Sequence, residues 1–190
     1  MNRSMQYKQE LQALIKLKCF LRSEKPIFRL TSGKMSDFYF DLRRATLSPS
    51  GQFLIGNVVF ETITGMGLAP DAIGGLTMGA DPIATATAYC SYLKERPMEA
   101  FVIRKEPKAY GTMRQVEGNV EPGNKVIILD DVLTTGKSTI KAIDAAREFG
   151  LEVLGALVLL DRCEHEGKKN VEDKGVKLWS VFTAGDFPRG

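Results

Sequence analysis

This 190-residue chain has a single histidine, His165, and only three cysteines, Cys19, Cys90 and Cys163, set far apart. A zinc-type centre needs close-spaced cysteine or histidine ligands, so none is expected. An odd number of distant cysteines suits a reducing compartment better than a disulfide framework, and a cytoplasmic location is expected. No run of about 18 apolar residues occurs. The first residues, Met1 to Glu10, are polar, so neither a membrane span nor a signal peptide is expected. The net charge is only +3 and, apart from the segment Arg104 to Gly118, no face or run concentrates the cations, which argues against a nucleic-acid partner.

What is present is the balance of a folded protein, 44% hydrophobic and 26% charged residues. The length suits one domain over residues 1–190 with a small appendage. The appendage is expected from residues 1–45 together with the last strand, as a hood, and the core from residues 70–162.

The most informative stretch is Val126 to Ser138, reading Val-Ile-Ile-Leu-Asp-Asp-Val-Leu-Thr-Thr-Gly-Lys-Ser. An apolar run ends in the carboxylates Asp130 and Asp131, a small-residue turn follows, and a helix is predicted from Thr139 to Phe149 with Gly150 as its cap. A helix N-terminus preceded by hydroxyls is an anion site, suited to a phosphate. Carboxylates at the carboxyl end of a buried strand suit sugar hydroxyls or a hydrated magnesium ion. A P-loop is excluded because its first glycine would have to stand where Asp131 does. An acidic strand end before an ordinary capped helix is the plainer alternative.

Around this centre, apolar spacing predicts a helix over residues 5–22 and a buried one over 50–65. Phe28 to Lys34 and Phe38 to Asp41 read as a hairpin turning at Ser32-Gly33. Strands are predicted at Ala72 to Gly75, Phe101 to Ile103, Val153 to Leu160 and Val176 to Thr183, with a helix running from Pro82 towards Leu93. Residues 164–174 read as a charged loop. The segment Arg104 to Gly118 has cations and glycines but no apolar period, so it reads as a long loop, and loops of that length in compact domains are usually functional. Strands alternating with helices imply an α/β fold, an open, mainly parallel sheet flanked by helices with its ligand at the strands' carboxyl ends.

The run Val126 to Ser138 closely resembles the phosphoribosyl diphosphate signature of the type I phosphoribosyltransferases. The order of motifs from Phe28 to Arg162 is similar to that of the orotate phosphoribosyltransferases within that family. The resemblance implies that Asp130 and Asp131 hold the ribose hydroxyls and that the turn holds the 5-phosphate. The donor site would then comprise Asp130, Asp131, Val132, Leu133, Thr134, Thr135, Gly136, Lys137 and Ser138, with Arg104, Lys105, Lys108 and Tyr110 from the long loop. Lys108, Asp130 and Asp131 would be catalytic, and Mg2+ would be held mainly through the substrate near the acidic pair. Orotate would meet Arg162, whose planar fork fits a carboxylate, with Thr134 and the hood residues Tyr39 and Phe40.

Three positions depart from the family pattern. Tyr110 stands where a histidine is expected, and Thr31 and Gly79 stand where lysine is often found. A phenol donates a hydrogen bond but carries no positive charge near neutral pH. The resemblance also implies a homodimer with shared active sites, the loop of one subunit reaching the donor site of the other. A phosphoribosyltransferase for another base, or a non-catalytic regulator that binds phosphoribosyl diphosphate, is the alternative.

Overall fold

The computed structural model describes residues 3–29, 33, 35–106 and 115–188. The chain opens with helix α1 (Arg3–Lys18), which buries Leu11 and Ile15. Four short strands follow, β1 (Phe20–Arg22), β2 (Phe28–Arg29), β3 (Met35–Ser36) and β4 (Phe38–Phe40). The α/β core then runs α2 (Arg43–Thr46), α3 (Pro49–Gly65), β5 (Ala72–Leu76), α4 (Asp81–Leu93), β6 (Glu99–Ile103) and β7 (Val116–Gly118). It finishes with β8 (Lys125–Leu133), α5 (Lys137–Glu148), β9 (Glu152–Asp161), α6 (Gly167–Glu172) and β10 (Leu178–Thr183).

The main sheet has the order β10-β9-β8-β5-β6-β7. Its pairings are parallel except β6 with β7. On β8 the residues alternate between two cores. Ile127 and Leu129 face the side covered by α1, α3 and α4, while Val126 and Ile128 face α5 and α6. A strand buried on both faces must be apolar throughout, which is why this run shows no polar alternation. The chain leaves β5 on one side to make β6 and returns on the other to make β8. That reversal opens a crevice at the carboxyl ends of β5 and β8.

Several expectations need correction. Helix α1 stops at Lys18, because Arg44 Nη1 donates to the Lys18 carbonyl at 3.0 Å and Phe20 stacks on Phe40. Residues 20–22 are therefore a strand paired antiparallel with β4, and the hairpin partner of β2 is β3 rather than β4. The end of the long loop, Val116–Gly118, folds back onto β6. Residues 167–172 are helical rather than loop, with Val171 buried beneath them. Strand β10 joins the main sheet beside β9, not the hood. Its Phe182 lies beneath Lys8 of α1, whose Nζ is 5.5 Å from the ring centroid, and beyond the strand the Phe187 and Phe40 rings meet at 5.3 Å.

Strand β8 also runs past the acidic pair to Leu133, because β9 pairs with it as far as Leu133 opposite Asp161. The carboxylates thus lie inside the strand, at its final turns of pleat, and not beyond it. Thr31 falls outside the described residues.

Candidate active site

Asp130 is buried with both of its oxygens engaged. Its Oδ2 accepts from Ser138 Oγ at 2.6 Å and Thr139 Oγ1 at 3.0 Å, and its Oδ1 accepts from the Asp131 N–H at 3.0 Å. Asp131 Oδ1 accepts from the Val132 N–H at 2.8 Å. Burial first, and the adjacent Asp131 second, push the Asp130 carboxyl up to about 7. Burial also raises Asp131, opposed in part by its hydrogen bond from Val132 and by the charge of Arg43. Two carboxyls forced together in a low-dielectric crevice favour a ligand that brings hydroxyl donors or positive charge.

The loop after β5 approaches this pair closely. A Cβ on Gly79 would lie 2.8 Å from Asp131 Oδ1 and 3.0 Å from Asp130 Oδ1. The missing side chain is what lets backbone and carboxylates share the crevice.

Beyond the pair, Thr134 to Ser138 turn into α5. Gly136 takes φ +80, and a Cβ there would press on Val171 Cγ2 at 2.8 Å, so glycine is required twice over. The first N–H groups of α5 have no partner within the helix and point into the turn. Ser138, however, spends its hydroxyl on Asp130, and Leu133 is buried in the core. What Leu133 offers at this edge is backbone, and its carbonyl accepts from the Arg162 N–H at 3.0 Å. Lys137 is exposed at the first turn of α5, while Val132, Thr134 and Thr135 are half-buried.

Arg162 follows directly on β9, beside the end of β8. Its guanidinium lies 4.6 Å from the centroid of Phe38 and forms a two-pronged pair with Glu164, Nε to Oε2 at 3.2 Å and Nη2 to Oε1 at 3.0 Å. Neither partner was singled out in the sequence. Of the two aromatics that were, Phe40 packs into the hood core against Phe20, Phe38 and Phe187, and Tyr39 turns to the other face of β4 to stack on Phe28. Alternation along β4 puts Phe38 and Phe40 on one side, so the ring that meets the arginine is Phe38.

Another contributor missed in the sequence is Asn170. Its Nδ2 donates to the Thr135 carbonyl and to the His165 carbonyl, each at 3.1 Å, tying the turn after β8 to the loop after β9. The only signal for it was a polar residue in a charged segment.

The base of the long loop lies among the described residues. The Arg104 N–H donates to the Gln115 carbonyl at 2.9 Å, the Arg104 side chain faces Glu117 at 3.9 Å, and the Lys105 carbonyl accepts from Lys141 Nζ at 2.6 Å. Lys108 and Tyr110 lie outside the described residues.

Magnesium prefers oxygen ligands and keeps much of its water. Among the described residues no group of three or more acidic, histidine or cysteine side chains converges. Asp130 has its oxygens engaged already. The donor set therefore fits an ion that arrives on a diphosphate, with Asp131 and Asp130 beside it, and not one caged by protein.

Residues 52–185 match the phosphoribosyl transferase domain family. An orotate phosphoribosyltransferase of Aquifex aeolicus is 46% identical over 175 residues, 92% of this chain and 94% of that protein. The structure of Mycobacterium tuberculosis orotate phosphoribosyltransferase in complex with Fe(III) dicitrate is similar with a TM-score of 0.82 and 35% identity, covering 95% of this chain and 98% of that one. A second structure of the M. tuberculosis enzyme, in complex with 5-phospho-alpha-D-ribosyl 1-diphosphate, is similar with a TM-score of 0.77 and 30% identity, covering 96% and 92%.

Proposed function

The chain belongs to the phosphoribosyltransferase family, and we propose that it transfers the phosphoribosyl group of 5-phosphoribosyl 1-diphosphate to N1 of orotate. The products are orotidine 5'-monophosphate and diphosphate, a step of pyrimidine biosynthesis. The observation that carries this reading is the pairing of two strand ends. The acidic pair and helix N-terminus follow β8, and the buried Arg162 follows its neighbour β9.

In this reading the turn Thr134 to Ser138 binds the 5-phosphate through the free N–H groups of α5. Asp130 and Asp131 accept hydrogen bonds from the ribose hydroxyls and fix the sugar for in-line attack. Ser138 and Thr139 hold Asp130 in place. As diphosphate leaves, the sugar becomes oxocarbenium-like, and Arg104, Lys105 and Lys108 oppose the growing negative charge, with Lys108 assisting departure. Tyr110 donates a hydrogen bond to the same group, and loop closure keeps out water that would hydrolyse the donor. Mg2+, when bound with the donor, adds charge neutralisation at the diphosphate. Arg162 receives the carboxylate of orotate and Thr134 touches its ring.

A homodimer with shared sites belongs to the same proposal. Phe53, Tyr89 and Leu93 are exposed and line one groove between α3 and α4, a face that suits a second copy of the chain. Sedimentation gives its mass directly, and a monomer at working concentration would remove this part. A cytoplasmic setting, supported by the free Cys19, Cys90 and Cys163, is checked by cell fractionation. Among the described residues no helix is long and apolar enough to cross a membrane.

The test of the reaction is spectroscopic. Mixing the protein with orotate, phosphoribosyl diphosphate and magnesium should remove orotate absorbance, and omitting magnesium should stop the loss. Turnover of adenine or another base in place of orotate would overturn the assignment.

A further inference from the structure

The fork of Arg162 is already filled. Glu164 grips it at 3.0 and 3.2 Å, while the Arg162 side chain is only 3% exposed and that of Glu164 28%. A guanidinium this far from water is strongly disfavoured without a counter-charge. Glu164 sits on a segment bent tightly back on itself, with φ of 56, 53 and 52 at Cys163, His165 and Glu166. The carboxylate that neutralises the arginine is thus a partly solvated group on a turn, not a core residue. An incoming carboxylate meets an arginine that is paired and shielded by Phe38 on one face.

We propose that Glu164 is an internal placeholder for the substrate carboxylate, neutralising Arg162 in the empty site and swinging into solvent when orotate takes the fork. The inference rests on the assignment of Arg162 to orotate. The exchange is carboxylate for carboxylate, so no bond is broken and no proton moves. Glu164 then lowers orotate affinity, because its own pair must be given up first. It also contributes to specificity: a base without a carboxylate has nothing to offer the arginine in return, and the internal pair stays closed.

The decisive variant is Glu164→Gln in the full chain, compared with wild type for KM of each substrate and for melting with and without orotate. The empty variant should melt lower than wild type. Its orotate KM should fall about three- to tenfold, the range of a charge-assisted pair partly open to solvent. The melting shift produced by orotate should grow, the KM for phosphoribosyl diphosphate should stay as it was, and inhibition by uracil, which has no carboxylate, should not improve. Glu164→Asp, too short to span both nitrogens, should move orotate KM the same way by less and serves if the glutamine variant does not fold. An orotate KM that rises or stays unchanged, with turnover intact, would overturn the placeholder alone. A rise would make Glu164 a positioning residue that aims the fork. Failure of the wild type to use orotate at all would overturn the assignment of Arg162 and this inference together.

Discussion

The ends of β8 and β9 lie side by side and handle buried charge in opposite ways. At β8, Asp130 and Asp131 are neighbours of like charge, and their hydrogen bonds come from hydroxyls and backbone rather than from a cation. At β9, Arg162 has its counter-charge two residues away in Glu164. The first site holds unbalanced charge that a ligand relieves, and the second is balanced until a ligand exchanges with it. Unbalanced charge costs folding stability and strengthens ligand binding, whereas a balanced pair preserves stability and competes with the ligand. Catalytic crevices commonly concentrate such perturbed groups.

The sharpest break in that comparison is Arg162→Ala. If Arg162 receives orotate as proposed, the change removes a two-pronged, charge-assisted contact to it and leaves Glu164 facing the substrate carboxylate with like charge. A loss on the order of 100-fold in kcat/KM for orotate is expected, with donor affinity little changed. Steady-state kinetics with orotate varied, together with calorimetric titration of the donor, checks it. Equal loss for both would mean that the two strand ends act as one site and that the contrast has no functional content.

The unbalanced end is tested by pH. Asp130 titrates near 3.8 in the unfolded chain and is pushed up to about 7 when folded. Between these values the native state holds a proton that the unfolded chain has released, so net stability falls as pH rises from about 4 to 7. Sharing of charge with Asp131 and relaxation of the site reduce the full effect to on the order of 1–2 kcal/mol. Denaturant unfolding at pH 5 and pH 8 should therefore show a larger drop for wild type than for Asp130→Asn. Parallel behaviour of the two proteins would show that Asp130 carries no raised pKa.

The β8 end was readable in the sequence because it is contiguous. Strand, acidic pair, turn and helix occupy one run, and each part has its own local signature in apolar residues, carboxylates and glycine. The same holds for the parallel sheet, whose strands are short apolar runs between helices. The β9 end was only half readable. Arg162 was visible beside Asp161, but its partners Glu164 and Phe38 were not, since a pair that closes through left-handed backbone at Cys163 leaves no period or motif. The hood misled for a related reason: Phe20 stacks on Phe40 in the aromatic run Phe38–Phe40, and that contact across the chain outweighed the helical spacing that had carried α1 through residue 22. Gly79 read as a lost lysine, yet its role is the space it leaves beside the carboxylates.

Asn170 tests whether the two ends, so different in charge, are mechanically one. Its side-chain amide holds the Thr135 carbonyl on the donor turn and the His165 carbonyl on the loop that carries Glu164. Asn170→Ala removes both bonds, and because the carbonyls are near the surface, water replaces part of what is lost. The net effect should be about 1 kcal/mol of stability. If the amide does no more than strengthen the fold, KM for both substrates should stay at the wild-type value. As a strap, it should let both loops relax, raising KM for the donor by roughly threefold, within the reach of a single hydrogen bond, and lowering KM for orotate as the grip of Glu164 on Arg162 loosens. Steady-state kinetics with each substrate varied in turn distinguishes the cases. A rise for the donor with KM for orotate unchanged would show that the turn after β8 depends on Asn170 while the Glu164 loop holds itself, and the two strand ends would then be neighbours without being coupled.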